Sequence, residues 1–79
     1  MPRYFFHIRD GWEVIPDEEG MDFPHLHLAE VEGYASANDL ASAALVEGRG
    51  TAAYAVEIAD GVGTVLSRIK IAPVHRFAS

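Results

Sequence analysis

The stretch RYFFHIRDGWEVIP, residues 3–16, decides the fold because it predicts an antiparallel hairpin near the start of the chain. Within residues 3–10, Tyr4, Phe6 and Ile8 alternate with Phe5, His7 and Arg9. This alternation is typical of a half-buried strand. The dipeptide at 10–11 is Asp-Gly, which favours a tight turn because both residues tolerate a positive φ. Residues 12–15 are predicted to form a short return strand, and Pro16 ends it because proline cannot donate to a ladder.

A long helix is predicted after this hairpin. Residues 25–47 contain no proline and are rich in alanine and leucine, which favours one amphipathic helix of about six turns. Gly48 is suited to end the helix in a left-handed conformation. The side chains at helical spacing, expected to form the apolar face, are Leu28, Val31, Tyr34, Ala35, Ala41, Ala44 and Leu45.

A second hairpin is predicted beyond the helix, from alternating residues 53–60 and 64–72 on either side of the turn DGVG. The order is therefore β-β-α-β-β. An α+β fold, a two-layer sandwich with one long helix on one face of an antiparallel sheet, buries every apolar stripe. The residues expected to face the helix are Tyr4, Phe6, Ile8, Tyr54, Val56, Ile58, Val65, Ile69 and Ile71.

Length and composition restrict the classes of function. The 79 residues predict a single small domain with its core at 3–72 and a short tail at 73–79. The absence of cysteine excludes disulfides and thiolate sites, and a formal charge of −6 disfavours nucleic acid as a partner. No secretory signal or membrane-length apolar run is present, so we expect a cytoplasmic protein with no membrane partner.

Several short motifs resemble a known bacterial family. In order along the chain they are PRYFFHIRDG, PDEEG, the FP before the helix, and VEIADGVG. They are similar to domain-of-unknown-function family 6894, whose short members typically begin R-Y-F-F-H. The resemblance covers about residues 2–72. It implies one compact α+β domain, and it implies no activity, substrate or catalytic residue. His25 and His27 stand where relatives tend to have an acidic residue.

The stretch PDEEGMDFPHLH, residues 16–27, is dense in potential metal ligands. It does not match a calcium loop of the EF-hand type, because the glycine comes too early and the closing glutamate is missing. A zinc site formed by Asp22, His25 and His27 is the remaining metal hypothesis. Two histidines at this spacing converge only where the chain is extended. The favoured alternative is a solvated acidic turn before the helix.

The outward face of the sheet is the predicted binding surface. The residues expected there are Phe5, His7, Arg9, Arg68 and Lys70. If their strands are neighbours, they form a mildly basic patch with one reliably placed aromatic ring, which makes RNA binding the less favoured use. Self-association or a protein partner is favoured, because a sheet covered on one side presents an open face and open edges.

Three functions remain open. The first is a non-enzymatic cytoplasmic binding or regulatory module that self-associates, with a homodimer as the expected form because small domains often gain stability from a second copy. The second is an antitoxin-like module that binds a partner protein. The third is a small metal-dependent enzyme using His25 and His27. No catalytic residue and no cofactor are predicted, since the carboxylates lie in an exposed turn and no nucleophile or phosphate-loop motif occurs.

Overall fold

The computed structural model describes residues 1–48, 50 and 54–71. In this part of the chain one helix packs against a five-stranded antiparallel sheet, which confirms the predicted α+β sandwich. The predicted tail at 73–79 lies outside the described residues. The elements are β1 (Arg3–Asp10), β2 (Glu13–Ile15), β3 (Met21–Asp22), α1 (Leu26–Glu47), β4 (Tyr54–Ala59) and β5 (Val65–Lys70).

The sheet has the strand order β2-β1-β4-β5, and β3 also pairs with β1. Strand β1 is therefore central: β4 lies along one side, while β2 and β3 share the other. The prediction did not include β3. It consists of two residues within the stretch predicted to be a turn before the helix, and a strand of that length has no side-chain periodicity to detect.

The predicted sheet core is confirmed at eight of nine positions. Five of these residues are buried and three are partly buried against them: Tyr4, Val56, Ile58, Ile69 and Ile71, and then Phe6, Ile8 and Tyr54. The prediction for Val65 is wrong, because its side chain is 50% exposed. A register shift between Ile58 and Ala59 places Val65 opposite Ala59, on the outward face. A bulge of this kind reverses the alternation of a strand.

The predicted apolar face of α1 is also wrong in part. The buried residues are the small ones, Ala29, Gly33, Ala37, Ala41 and Ala44, while Leu28, Val31, Tyr34 and Leu45 are exposed. The reason is the close approach of the helix to bulky sheet residues. A Cβ added to Gly33 would lie 2.7 Å from Cδ1 of Ile69 and 3.0 Å from Cδ1 of Ile58. Isoleucine on the sheet fills the space, so the helix can bring only small side chains there.

The two ends of α1 are capped differently. Gly48 adopts the left-handed conformation, with φ 72°, as predicted for the residue that ends the helix. His25 occupies the N-cap position with an extended backbone, and its side chain makes no capping hydrogen bond. Within the described residues, no helix combines the length and the apolar character needed to cross a membrane.

Candidate functional site

The predicted binding residues lie on one face of the sheet but in two separate rows. Strand β4 runs between β1 and β5, so the residues on β1 are not neighbours of those on β5. Cross-strand pairs place β4 residues between the rows, since opposite residues share a face. We call this face the outer sheet surface; its residues are Phe5, His7, Arg9, Ala55, Glu57, Ala59, Val65, Arg68 and Lys70.

A buried carboxylate lies at the middle of the outer sheet surface. Glu57 is only 7% exposed and stands directly between His7 on β1 and Arg68 on β5. Its Oε2 accepts a hydrogen bond from Nε of Arg9 at 2.9 Å, and Nε of Arg68 lies 3.6 Å from the same oxygen. Glu57 is not among the predicted site residues, although its alternation with buried valine and isoleucine places it on this face. It holds Arg9 by a hydrogen bond, attracts the more exposed Arg68, and lowers the net positive charge of the surface.

The segment between β2 and β3 is anchored to β1 by Asp17. Its Oδ2 accepts from the N–H of Phe6 at 3.1 Å, and its Oδ1 accepts from the N–H groups of Glu19 and Gly20, each at 3.2 Å. The N–H of Asp17 donates to Nδ1 of His7 at 3.0 Å. The acidic stretch is therefore a turn held against a strand by hydrogen bonds, whereas the favoured alternative predicted a solvated turn.

The turn has little tolerance for change at its glycine. Gly20 has φ 71°, and an added Cβ would lie 2.8 Å from Cγ of Arg3 and 2.9 Å from the carbonyl oxygen of Tyr4. Burial tends to raise the pKa of Asp17. The N–H donors of Phe6, Gly20 and Glu19 nevertheless hold that pKa below its ordinary value. The DEEG motif thus couples one aspartate and one glycine to the edge of β1.

His7 has a defined hydrogen-bonding role. Because Nδ1 accepts a hydrogen bond, the neutral ring carries its proton on Nε2. The ring also stacks on Phe5, with 6.4 Å between centroids and 14° between planes. Both interactions orient the imidazole along the outer sheet surface and leave Nε2 as its remaining polar atom.

The three residues proposed to bind zinc are close in sequence, but each contacts a group other than a metal ion. Asp22 is paired with Arg3, whose Nε lies 2.9 Å from Oδ1 of Asp22. The rings of His25 and His27 stack, with centroids 6.3 Å apart and planes at 19°. Across the residues that the structure describes, no group of three histidine or carboxylate side chains is placed to hold a metal ion. A zinc site here stays a prediction for titration.

A second candidate surface, absent from the sequence prediction, lies on the outward side of α1. Phe23, Leu28, Val31, Glu32 and Ala35 line an open groove of about 270 Å³ that is mainly apolar. Tyr34 and Leu45 extend the exposed apolar area along the helix. We call the exposed side of α1 formed by these helix residues the helix surface; its members are Leu28, Val31, Glu32, Tyr34, Ala35 and Leu45. The signal in the sequence is the spacing of alanine and glycine at 29, 33, 37 and 41, which marks the side facing the sheet.

Comparison with known proteins gives a family and no function. The family model described as Domain of unknown function (DUF6894) matches residues 3–72. No curated protein and no solved structure is significantly similar to the chain. The matched range begins with β1 and includes the Asp17 turn, the helix and both strands that follow. The resemblance noted from the motifs is therefore confirmed, and the chain belongs to the DUF6894 family.

Proposed function

We propose that this chain is a non-enzymatic, cytoplasmic binding module that self-associates through the helix surface. One observation supports the proposal above the others: α1 directs its small residues to the sheet and leaves several large apolar residues exposed to solvent, while Leu26 and Leu40 pack against the core. Leu28, Val31 and Leu45 are 40%, 56% and 46% exposed. Full burial of a leucine or valine side chain stabilises by about 1.5–3 kcal/mol relative to exposure. An isolated copy forgoes much of this stabilisation.

The spacing of the exposed residues suits a contact made by a helix. Leu28, Val31 and Ala35 are three and four residues apart, so they form one stripe. Asn38 and Ser42 continue the stripe before Leu45, and polar residues within an apolar seam can set the register of a partner. Self-association would also enlarge the buried area of a small domain.

A second candidate function, binding of a different protein in the manner of an antitoxin, is favoured by Trp12. This side chain is 99% exposed at the turn between β1 and β2. Tryptophan is enriched among the residues that dominate protein–protein binding energies. The Trp12 site and the helix surface involve different elements, so a Trp12→Ala variant that still self-associates but loses a copurifying protein would support this second function.

Light scattering coupled to size exclusion tests self-association. The wild type should exceed the 8.6 kDa of one copy as concentration rises. A Leu28→Gln/Val31→Gln variant should remain at one copy, because glutamine keeps the helix and removes the apolar contact. Val62→Gln is the matched control, since Val62 is 89% exposed on the β4–β5 turn. A wild type that stays at 8.6 kDa at every concentration overturns the proposal.

A further inference from the structure

Side chains of opposite charge lie on the outward face of the sheet and on helix α1. Of the six lysine and arginine residues, four are described, and all four belong to the outward face of the sheet: Arg3, Arg9, Arg68 and Lys70. Asp22 and Glu57 offset two of these charges. Helix α1 contains only acidic charges, Glu30, Glu32, Asp39 and Glu47. The outer sheet surface, which combines Arg9, Arg68 and Lys70 with Glu57, is therefore net positive and α1 is net negative, although the rest of the sheet layer carries further carboxylates.

This separation bears on which surface the helix can meet. Two helix surfaces packed against each other would bring carboxylates of both copies together, because Glu32 lines the same groove as Leu28 and Val31. Like charges placed opposite each other at an interface cost binding free energy. Glu30 lies apart from this groove, since its Oε2 accepts a hydrogen bond from Ser67. A symmetric helix-to-helix contact is thus opposed by Glu32 and Asp39.

The outer sheet surface supplies the complement to the helix surface. Lys70 and Arg68 are exposed there, and Val65 and Phe5 add apolar area on either side of the alanines of β4. Helix on sheet is also the contact that the domain already uses internally, between α1 and the opposite face of β4 and β5. A second copy's helix would cover the outer face in the same manner.

We propose that copies associate head to tail, with the helix surface of one copy packed on the outer sheet surface of the next. Glu32 and Asp39 then face Lys70 and Arg68, and Leu28 and Val31 contact the sheet. This inference rests on the proposed self-association and specifies its partner surface. A contact between two different surfaces leaves one of each kind unfilled, so the assembly grows with concentration or closes as a ring.

A mixing experiment tests the geometry. The helix variant Leu28→Gln/Val31→Gln keeps an intact outer sheet surface, and a sheet variant Val65→Glu/Lys70→Glu keeps an intact helix surface. Each alone should remain at the 8.6 kDa of one copy, and an equimolar mixture should form a discrete one-to-one pair. Circular dichroism and thermal unfolding establish that both variants are folded.

The outcomes separate the inference from the proposed function. A sheet variant that self-associates as the wild type does, with no pair formed on mixing, overturns the head-to-tail contact and leaves self-association intact. A wild type that never exceeds one copy overturns both.

A charge exchange keeps the test decisive should the sheet variant fail to fold. Lys70→Glu alone should weaken self-association by about tenfold. Mixing it with Glu32→Lys should restore the affinity, because the two reversed charges then face each other. No recovery in this mixture would contradict the assignment of these surfaces.

Discussion

Asp17 is hydrogen-bonded both to the side chain of His7 and to the backbone of Phe6, the residue before His7 on β1. The N–H of Asp17 donates to Nδ1 of His7 at 3.0 Å, while the carboxylate of Asp17 accepts from the N–H of Phe6 at 3.1 Å. Strand β2 pairs with β1 only at residues 8–10, and β3 only at residues 3 and 4. The aspartate therefore supplies, in the gap between them, the acceptor that a neighbouring strand would otherwise provide.

Replacing Asp17 by alanine should destabilise the domain more than replacing either glutamate of the acidic turn. The variant loses the acceptor of three backbone N–H groups, and the expected decrease in the free energy of unfolding is about 1–3 kcal/mol. Urea unfolding followed by circular dichroism measures it. Glu18→Ala is the control, because Glu18 is an exposed residue of the same turn. Equal effects of the two substitutions would show that the turn does not anchor β1.

The role of His7 as an acceptor can be separated from its ring stacking. His7→Phe keeps an aromatic ring beside Phe5 but removes the acceptor for the N–H of Asp17, so we expect a loss of about 0.5–1.5 kcal/mol. His7→Asn keeps an acceptor atom close to the position of Nδ1 and loses the ring. Amide hydrogen exchange at Asp17 should quicken in the first variant and change less in the second. The reverse order would assign the effect to stacking.

The stability of the domain should fall in acid partly because of Asp17. Burial tends to raise its pKa, but the N–H donors of Phe6, Gly20 and Glu19 lower it below the ordinary value of 3.8, so the folded chain binds this proton less readily than the unfolded chain. The stabilisation is then fully present above about pH 5 and is lost as the pH falls below about 4 and passes through the folded-state pKa. Urea midpoints measured from pH 7 to pH 2 should show this decline.

Isosteric variants identify the source of the acid sensitivity. Asp17→Asn should flatten the decline, because the amide does not titrate. The pKa of Asp22 is also lowered, by its hydrogen bond to Arg3, but that pair is exposed, so its contribution should disappear at high salt. Identical pH profiles for the wild type and Asp17→Asn would remove Asp17 from the explanation.

The glutamate at the middle of the outer sheet surface should be needed for stability as well as for geometry. Glu57→Gln keeps the shape and removes the charge, which leaves Arg9 and Arg68 without their shared carboxylate. We expect a loss of about 1–3 kcal/mol in urea unfolding, since the site is buried and a paired charge is removed. Glu18→Gln, at an exposed turn residue outside both proposed surfaces, serves as the control. A Glu57 variant as stable as this control would contradict a structural ion pair.

How much of the fold the sequence predicts depends on which physical signal each element carries. Alternation indicates which side of β1 and β4 faces the helix, so these strands are predictable from the sequence. The side of α1 that faces the sheet was not, because hydrophobicity alone assigns the large residues to the core. Here the volume of Ile58 and Ile69 decides instead, and volume complementarity requires the strand and the helix to be placed together.

The candidate site shows the same limit. The parity of Phe5 and Arg68 placed them on one face, as the cross-strand pairs bear out, but parity holds no information on strand order. The position of β4 between them, and with it the bridging role of Glu57, depends on contacts far apart in sequence. The bulge that turns Val65 outward is likewise set by a shift between two strands.

Gly33 tests this account of the helix–sheet contact directly. Gly33→Ala should gain about 1 kcal/mol from helix propensity, but its Cβ would meet the Cδ1 atoms of Ile69 and Ile58 at 2.7 and 3.0 Å. Crowding in a packed core costs about 1–3 kcal/mol, so we expect a net loss of about 1 kcal/mol in the free energy of unfolding. Asn38→Ala, on the exposed side of α1, shows the propensity gain without the clash.

In a Gly33→Ala/Ile69→Val double variant, valine lacks the Cδ1 atom at 2.7 Å, so the two substitutions should together cost less than the sum of their separate effects. Strict additivity, or a Gly33→Ala variant as stabilised as Asn38→Ala, would show that the alanine and glycine stripe does not set the distance between helix and sheet.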